Sequence, residues 1–195
     1  MSLRPDLAVI AQNVAAGASV LDIGCGDGAL LAALRDEKQC ATRGMEIDTA
    51  NVAECVARGL SVIQGDADKD LAFYPDASVD YAILSQTLQT TMRPDMVLEQ
   101  LLRIGRRAFV SFPNFAHWKV RTTLLWSGKM PVTRLLPVAW YETPNIHHVT
   151  VNDFREMVAS RGIKVEQAWY LRGDRRCSPA AANFRAEHAV FLLSR

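Results

Sequence analysis

Val20-Leu21-Asp22-Ile23-Gly24-Cys25-Gly26-Asp27-Gly28 constrains this chain more than any other run. An apolar stretch carries an acid near its end, and glycines follow at every second position. Glycine lets main chain turn sharply and approach a ligand that a Cβ would keep at a distance. A helix opening at about Asp27 would aim its free amides at the same place. The run therefore reads as strand, ligand loop and helix, the opening unit of an α/β fold.

The glycine spacing alone leaves the ligand open. Gly24-x-Gly26-x-x-Ala29 also satisfies the dinucleotide pattern. Three acids decide between the readings. Asp22 sits where a pyrophosphate would want a neutral neighbour, whereas S-adenosylmethionine carries a cationic ammonium and a sulfonium that a carboxylate attracts. A second strand, about Ala41 to Ile47, contains Glu46 near its end, placed to accept two charge-assisted hydrogen bonds from a ribose diol. A third, about Ser61 to Gln64, leads into Gly65-Asp66-Ala67, where a carboxylate can accept from an adenine amino group. Three acids at three successive strand ends match this cofactor or its demethylated product, S-adenosylhomocysteine.

Asp22-x-Gly24-x-Gly26-x-Gly28, Glu46, Gly65-Asp66-Ala67 and Asp80-Tyr81-Ala82-Ile83-Leu84 together resemble the successive motifs of class I S-adenosylmethionine-dependent methyltransferases. The expected cofactor set is Asp22, Gly24, Cys25, Gly26 and Gly28 for the methionyl part, Glu46 and Ile47 for the ribose, and Asp66 with Ala67 for the adenine. Ser85 and Gln86 are second-rank members, and Gln86 and Gln89 read equally well as pocket wall or as the cap of a short helix. Arg4 is expected to be a solvated terminal arginine, although it would reach the cofactor's carboxylate if the leading helix folded over the pocket.

The apolar rhythm fits a doubly wound, seven-stranded, mostly parallel sheet with helices on both faces. A leading helix covers Ala8 to Val14, Thr49 caps a second-strand helix that Gly59 ends, and Pro94 to Ile104 is a helix with proline in its first turn. Strands follow at Val79 to Leu84 and Arg107 to Phe112. A helix at Asn152 to Ser160 then precedes strands at Ile163 to Leu171 and Ala189 to Leu193. With no helix between them, those two imply an antiparallel pair at the sheet edge. One domain spans 1–195. Charge is nearly balanced, 22 basic against 21 acidic residues, so no nucleic-acid or acidic-lipid partner is indicated. Cys25, Cys40, Cys55 and Cys177 form no CxxC pair and read as reduced thiols of a cytoplasmic protein. No run reaches membrane-spanning length, and no residue pattern indicates a metal.

Residues 113–150 exceed any ordinary βα connection. Trp118, Trp126, Trp140, Phe115 and Tyr141 argue against disorder. Lys119, Arg121, Lys129 and Arg134 face Glu142 as the one acid of the stretch. The insertion is expected to act as a lid over the cofactor's methyl group, as a partner surface, or as an extra helix pinned to the core by its aromatics.

Leu84-Ser85-Gln86-Thr87-Leu88-Gln89, Ser111-Phe112-Pro113-Asn114-Phe115-x-His117-Trp118, Met130-Pro131-Val132-Thr133 and Trp140-Tyr141-Glu142-Thr143-Pro144-Asn145-Ile146-His147 resemble the bacterial MetW family over nearly the whole chain. Departures are Glu142, where an aspartate is expected, and Val149 after the second histidine. The resemblance implies a role in methionine biosynthesis beside a MetX-type homoserine O-acyltransferase that forms acylhomoserine. The acyl chemistry belongs to that other chain, because no Gly-x-Ser-x-Gly elbow exposes a nucleophile here. The alternative is an independent methyltransferase on a small molecule, in which His147 and Tyr141 are the weak candidates for a general base.

Overall fold

The continuous apolar runs of the sequence become the middle of a sheet covered on both faces. In a computed structural model describing residues 3–133 and 136–195, the order is α1 (Pro5–Asn13), β1 (Ser19–Ile23), α2 (Ala29–Lys38), β2 (Ala41–Glu46), α3 (Thr49–Ala57), β3 (Val62–Gln64), β4 (Val79–Ser85), α4 (Pro94–Ile104) and β5 (Gly105–Pro113). There follow α5 (Trp118–Ser127), α6 (Val151–Ser160), β6 (Lys164–Arg172), β7 (Arg175–Arg176), α7 (Ala182–Arg185) and β8 (His188–Ser194). Arg134 lies outside the described residues.

The strands order as β3-β2-β1-β4-β5-β8-β6-β7, parallel from β3 through β5, with β8 antiparallel to both neighbours. Side chains alternate between faces with the period of two that strands impose. Leu21, Ile23, Ala82, Leu84, Val110 and Phe112 pack with α4 and α6. Val20, Tyr81, Ile83 and Phe109 pack with Ile10 of α1 and Leu30 and Leu34 of α2.

One expectation needs correction at the sheet's far end. Among the described residues eight strands form rather than seven, the additional one being the two-residue β7 that folds back on β6. The antiparallel pair expected at this end is β6 with β8. β8 inserts between β5 and β6, because Ala189-Val190-Phe191-Leu192-Leu193 is apolar without alternation and therefore buries both faces. The stretch before it, with a short 3-10 turn (Pro179–Ala181) and α7, is long enough to bring the chain back to that slot.

Local capping also differs in one place. Asp48, not Thr49, is the N-cap of α3, its carboxylate accepting from the amides of Ala50 and Asn51. The two ends of the 113–150 insertion meet at Asn114, which is fully buried. Its Oδ1 accepts from the amides of Ala116 and Val151, and its Nδ2 donates to the carbonyl of Ala186 at 2.8 Å. One side chain therefore closes the base of the insertion and fixes where α6 begins. No helix among the described residues is long and apolar enough to cross a membrane.

Candidate functional site

Strand order reverses between β1 and β4, so their carboxyl ends diverge and leave a crevice where doubly wound sheets place ligands. The glycine loop fills its floor. The amides of Gly24 and Cys25 both donate to the Met45 carbonyl, at 2.8 and 3.2 Å, which staples the loop to β2. Its glycines serve three different ends. At Gly24, with φ of +71°, an added Cβ would stand 2.3 Å from Thr87 Oγ1. At Gly26 a Cβ would meet nothing within 4 Å, so the backbone there faces open space. Gly28 lies under Leu60 and Cys55 and begins α2 as its left-handed N-cap.

The crevice has two chambers that share Gly24 as a wall. One, of about 490 Å³, is lined by Asp22, Cys25, Gly26 and Ser85, together with Arg4 and Asp27. The other, of about 350 Å³, is lined by Ile47, Asp66, Ala67 and Asp68, with Thr87, Thr90, Thr91 and Pro144 opposite. The expected methionyl and adenine residues thus lie in separate chambers on either side of one glycine. Gly28, Glu46 and Gln86 are outside both linings.

Glu46 braces the glycine loop. It is buried. Its Oε2 accepts from the Gly26 amide at 2.7 Å, and its Oε1 accepts from the amides of Ile47 and Asp48 at 2.9 and 3.0 Å. A carboxylate has about four acceptor directions, so three amides leave room for one hydroxyl rather than the two of a diol. Gln86, at a φ of +53°, turns its side chain to Asp6. Gln89 is buried; its Nε2 donates to the Gln86 carbonyl, while its Oε1 has no partner among the described residues.

Charge in the first chamber is organised by α1, which the sequence reading underweighted. Arg4 is half exposed to solvent, as a terminal arginine is expected to be, yet it is also tied into the site. It lines the chamber, pairs with Asp6 at 3.3 Å and donates to Ser85 Oγ at 3.1 Å. Asp6 is 2% exposed, and its Oδ2 accepts from Ser85 and Ser111 at 3.0 and 2.9 Å and from Gln86 Nε2 at 3.2 Å. Burial works to raise the Asp6 carboxyl, but Arg4 and these hydroxyls outweigh it and hold it below the usual carboxylate value. The sequence carries no signal for this: Pro5-Asp6 reads as an ordinary helix start with an acid in its first turn.

Asp22 has the opposite environment. It is 2% exposed, and its Oδ1 lacks any partner among the described residues. Burial pushes its carboxyl up to about 7, with Arg4 opposing and Glu46 and Asp6 adding to the rise. Burial likewise raises the Cys25 thiol. Asp66 differs again: it pairs with Lys69 at 2.8 Å, and this contact holds it below the ordinary value. An unpartnered buried carboxylate oxygen beside an open glycine backbone suits a ligand that brings a cation and needs close main-chain approach. The chamber containing Asp66 and Ile47 offers polar edges and one exposed apolar side chain to a flat group.

The proton-transfer candidates are dispersed. His147 Nε2 is buried without a partner among the described residues, while its backbone amide and that of Ile146 both donate to the Gln89 carbonyl at 3.0 Å. Tyr141 is 71% exposed and stacks edge-on with Trp140, away from both chamber linings. His148 packs edge-on against Phe115. His117 is buried, its Nε2 has no partner among the described residues, and burial lowers its pKa.

This sheet order, crevice and loop define the class I S-adenosylmethionine-dependent methyltransferase fold, which solved structures bear out. A SAM-dependent methyltransferase from Archaeoglobus fulgidus superposes with a TM-score of 0.69 at 13% identity, covering 96% of this chain and 90% of that one. The Haloferax volcanii protein solved in complex with the Trm112 methyltransferase activator gives 0.70 at 18%, covering 97% and 88%. Within that fold the family is specific: the model for "Methionine biosynthesis protein MetW" matches residues 4–193, and the chain belongs to the MetW family. A curated relative, the bifunctional methionine biosynthesis protein MetXA/MetW of Rhodopirellula baltica, is 32% identical over 207 residues, 100% of this chain. The chain spans 33% of that relative's length.

Proposed function

We propose that this chain binds S-adenosylmethionine or S-adenosylhomocysteine and acts in methionine biosynthesis on a homoserine O-acyltransferase of the MetX type, assisting formation of acylhomoserine. The observation that carries the binding half is the Asp22 carboxylate, buried at the head of a glycine cradle with one oxygen unpartnered among the described residues. The cofactor's ammonium would supply the missing donor. Arg4, across the same chamber, complements its carboxylate, one acceptor direction of Glu46 remains for a ribose hydroxyl, and Asp66 with the Ala67 amide suits the adenine edge. The partner half draws on the relative whose name joins MetXA to MetW in one chain.

The bound cofactor would supply an electrophilic methyl group; whether that group moves separates this reading from an independent methyltransferase. The second reading has an observation of its own. Gln89 Oε1 and His147 Nε2, two buried polar atoms without partners among the described residues, lie where the insertion meets the segment after β4, and an acceptor substrate's hydroxyl or amine would satisfy them.

The test is homoserine acylation by the purified acyltransferase with and without this protein, for the wild type and Glu46→Ala. An acylation rate that depends on the protein, and is lost with Glu46→Ala, supports the partner reading. No dependence, together with turnover in a radioactive methyl-transfer assay against small-molecule extracts, would move the assignment to the independent enzyme.

A further inference from the structure

Helix α5 carries more apolar surface than this chain covers. Val120 is its one buried residue. Leu124, Leu125 and Trp126 stand in solvent, Trp126 at 84% exposure. A helix of ten residues is marginal on propensity alone and depends on packing an apolar face. Phe115 packs against Val120 of this helix, whereas Trp126, Trp140 and Tyr141 stay exposed.

The chain that follows α5 forms a hollow of about 220 Å³ whose walls include Phe115, Met130, Pro131, Leu136, Val138 and Trp140. Trp140 and Tyr141 at its edge are 73% and 71% exposed. Elsewhere, scattered apolar residues such as Phe73 at 83% exposure need no special account. Exposed tryptophans and a tyrosine beside a formed apolar hollow have the composition of an interface core, in which aromatic anchors carry most of the binding energy. The surroundings are basic. Lys119, Arg121 and Lys129 are exposed, and Glu142 is the one acid in 113–150.

We propose that α5 and the hollow behind it are the docking face for the homoserine O-acyltransferase, taking from it an apolar side chain flanked by carboxylates. The inference rests on the partner reading above and adds the surface, its anchors and the partner's chemistry. Charge argues for an unlike partner: a two-fold contact between copies of this chain would set Lys119, Arg121 and Lys129 against one another. The concavity argues for a protein side chain rather than a flat bilayer, for which a hollow has no use. A covalent link between the two proteins in a relative is compatible with a contact that needs proximity.

The experiment measures the dissociation constant between the purified acyltransferase and the full chain by calorimetry. Variants are Trp126→Ser, Trp140→Ser, the charge reversal Lys119→Glu with Lys129→Glu, and Phe73→Ser as a remote exposed control. Thermal melts confirm that each variant folds. Each tryptophan variant is expected to weaken binding by roughly 30-fold or more, as for anchor residues. The charge reversal should weaken it and flatten its salt dependence, with Phe73→Ser unchanged. If wild type binds and the tryptophan variants bind equally well, the docking face is wrong while the partner reading stands. If wild type does not bind, the partner reading fails and this inference with it. Trp126-dependent binding to phosphatidylglycerol vesicles, or Trp126-dependent self-association, with acyltransferase binding unaffected, would overturn the proposal in favour of a membrane or a second copy.

Discussion

Asn in place of Asp22 should make the protein more stable at neutral pH, and by an amount that grows with pH. Burial raises the carboxyl from 3.8 to about 7 in the folded chain. A shift of about three units corresponds to roughly 4 kcal/mol between protonation states. The sign follows from which state holds the proton. Above pH 3.8 the unfolded chain ionises Asp22 while the folded chain still keeps it protonated, so stability falls as pH rises and the loss levels off above about 7. Integrated between pH 5 and pH 8, the group costs wild type about 2 to 3 kcal/mol. Every other titrating group contributes almost equally to wild type and Asp22→Asn, and the substitution's own packing cost is independent of pH. The readout is therefore the double difference in unfolding free energy from urea titrations at the two pH values. Asp22→Asn is expected to lose about 2 to 3 kcal/mol less than wild type on going from pH 5 to pH 8. Saturating S-adenosylhomocysteine should shrink the wild-type loss, because a bound ammonium favours the ionised carboxylate. Parallel pH curves for the two proteins would refute the reasoning, since they would mean that Asp22 has a partner or water that keeps it an ordinary carboxylate.

Gly24→Ala combines a left-handed backbone with a Cβ 2.3 Å from Thr87 Oγ1; a loss of about 3 kcal/mol is expected in urea unfolding, of which Thr87→Ala as a second change should restore the steric part but not the backbone part. Asp6→Ala strands Arg4, Ser85, Ser111 and Gln86 without their acceptor and should cost about 3 kcal/mol, read as a melting temperature lower by roughly 10 °C; an unchanged melt would mean that the cluster contributes nothing net. Asn114→Ala removes the tie between the ends of the insertion, with an expected cost of about 2 kcal/mol and faster amide hydrogen exchange across 115–150. Exchange that quickened uniformly over the whole chain instead would contradict a local role for Asn114.

The alternation of short apolar runs with amphipathic helices was enough to specify a doubly wound sheet, because a strand buried on both faces and a helix buried on one leave distinct periods in the chain. The glycine loop was legible for a similar reason: Gly24, Gly26 and Gly28 all take positive φ, a backbone state that favours glycine residue by residue. Asp22, Asp66 and Ala67 were likewise placed by counting from strand ends. What the sequence left undecided depends on distance through space. Asp6 and Arg4 meet Ser85 and Ser111 across some eighty to a hundred residues of chain, and nothing local marks a helix-start acid as buried. Glu46 shows the same limit from the other side. Its strand-end position was clear, yet only the packed loop revealed that three amides take up most of its carboxylate. The position of β8 inside the sheet, and the emergence of Trp126 and Trp140 into solvent rather than into the core, were likewise settled by tertiary packing. Local pattern determines which elements form and where a ligand loop lies, because those depend on neighbours in the chain. Burial, charge pairing and exposed surface depend on which distant residues arrive beside them.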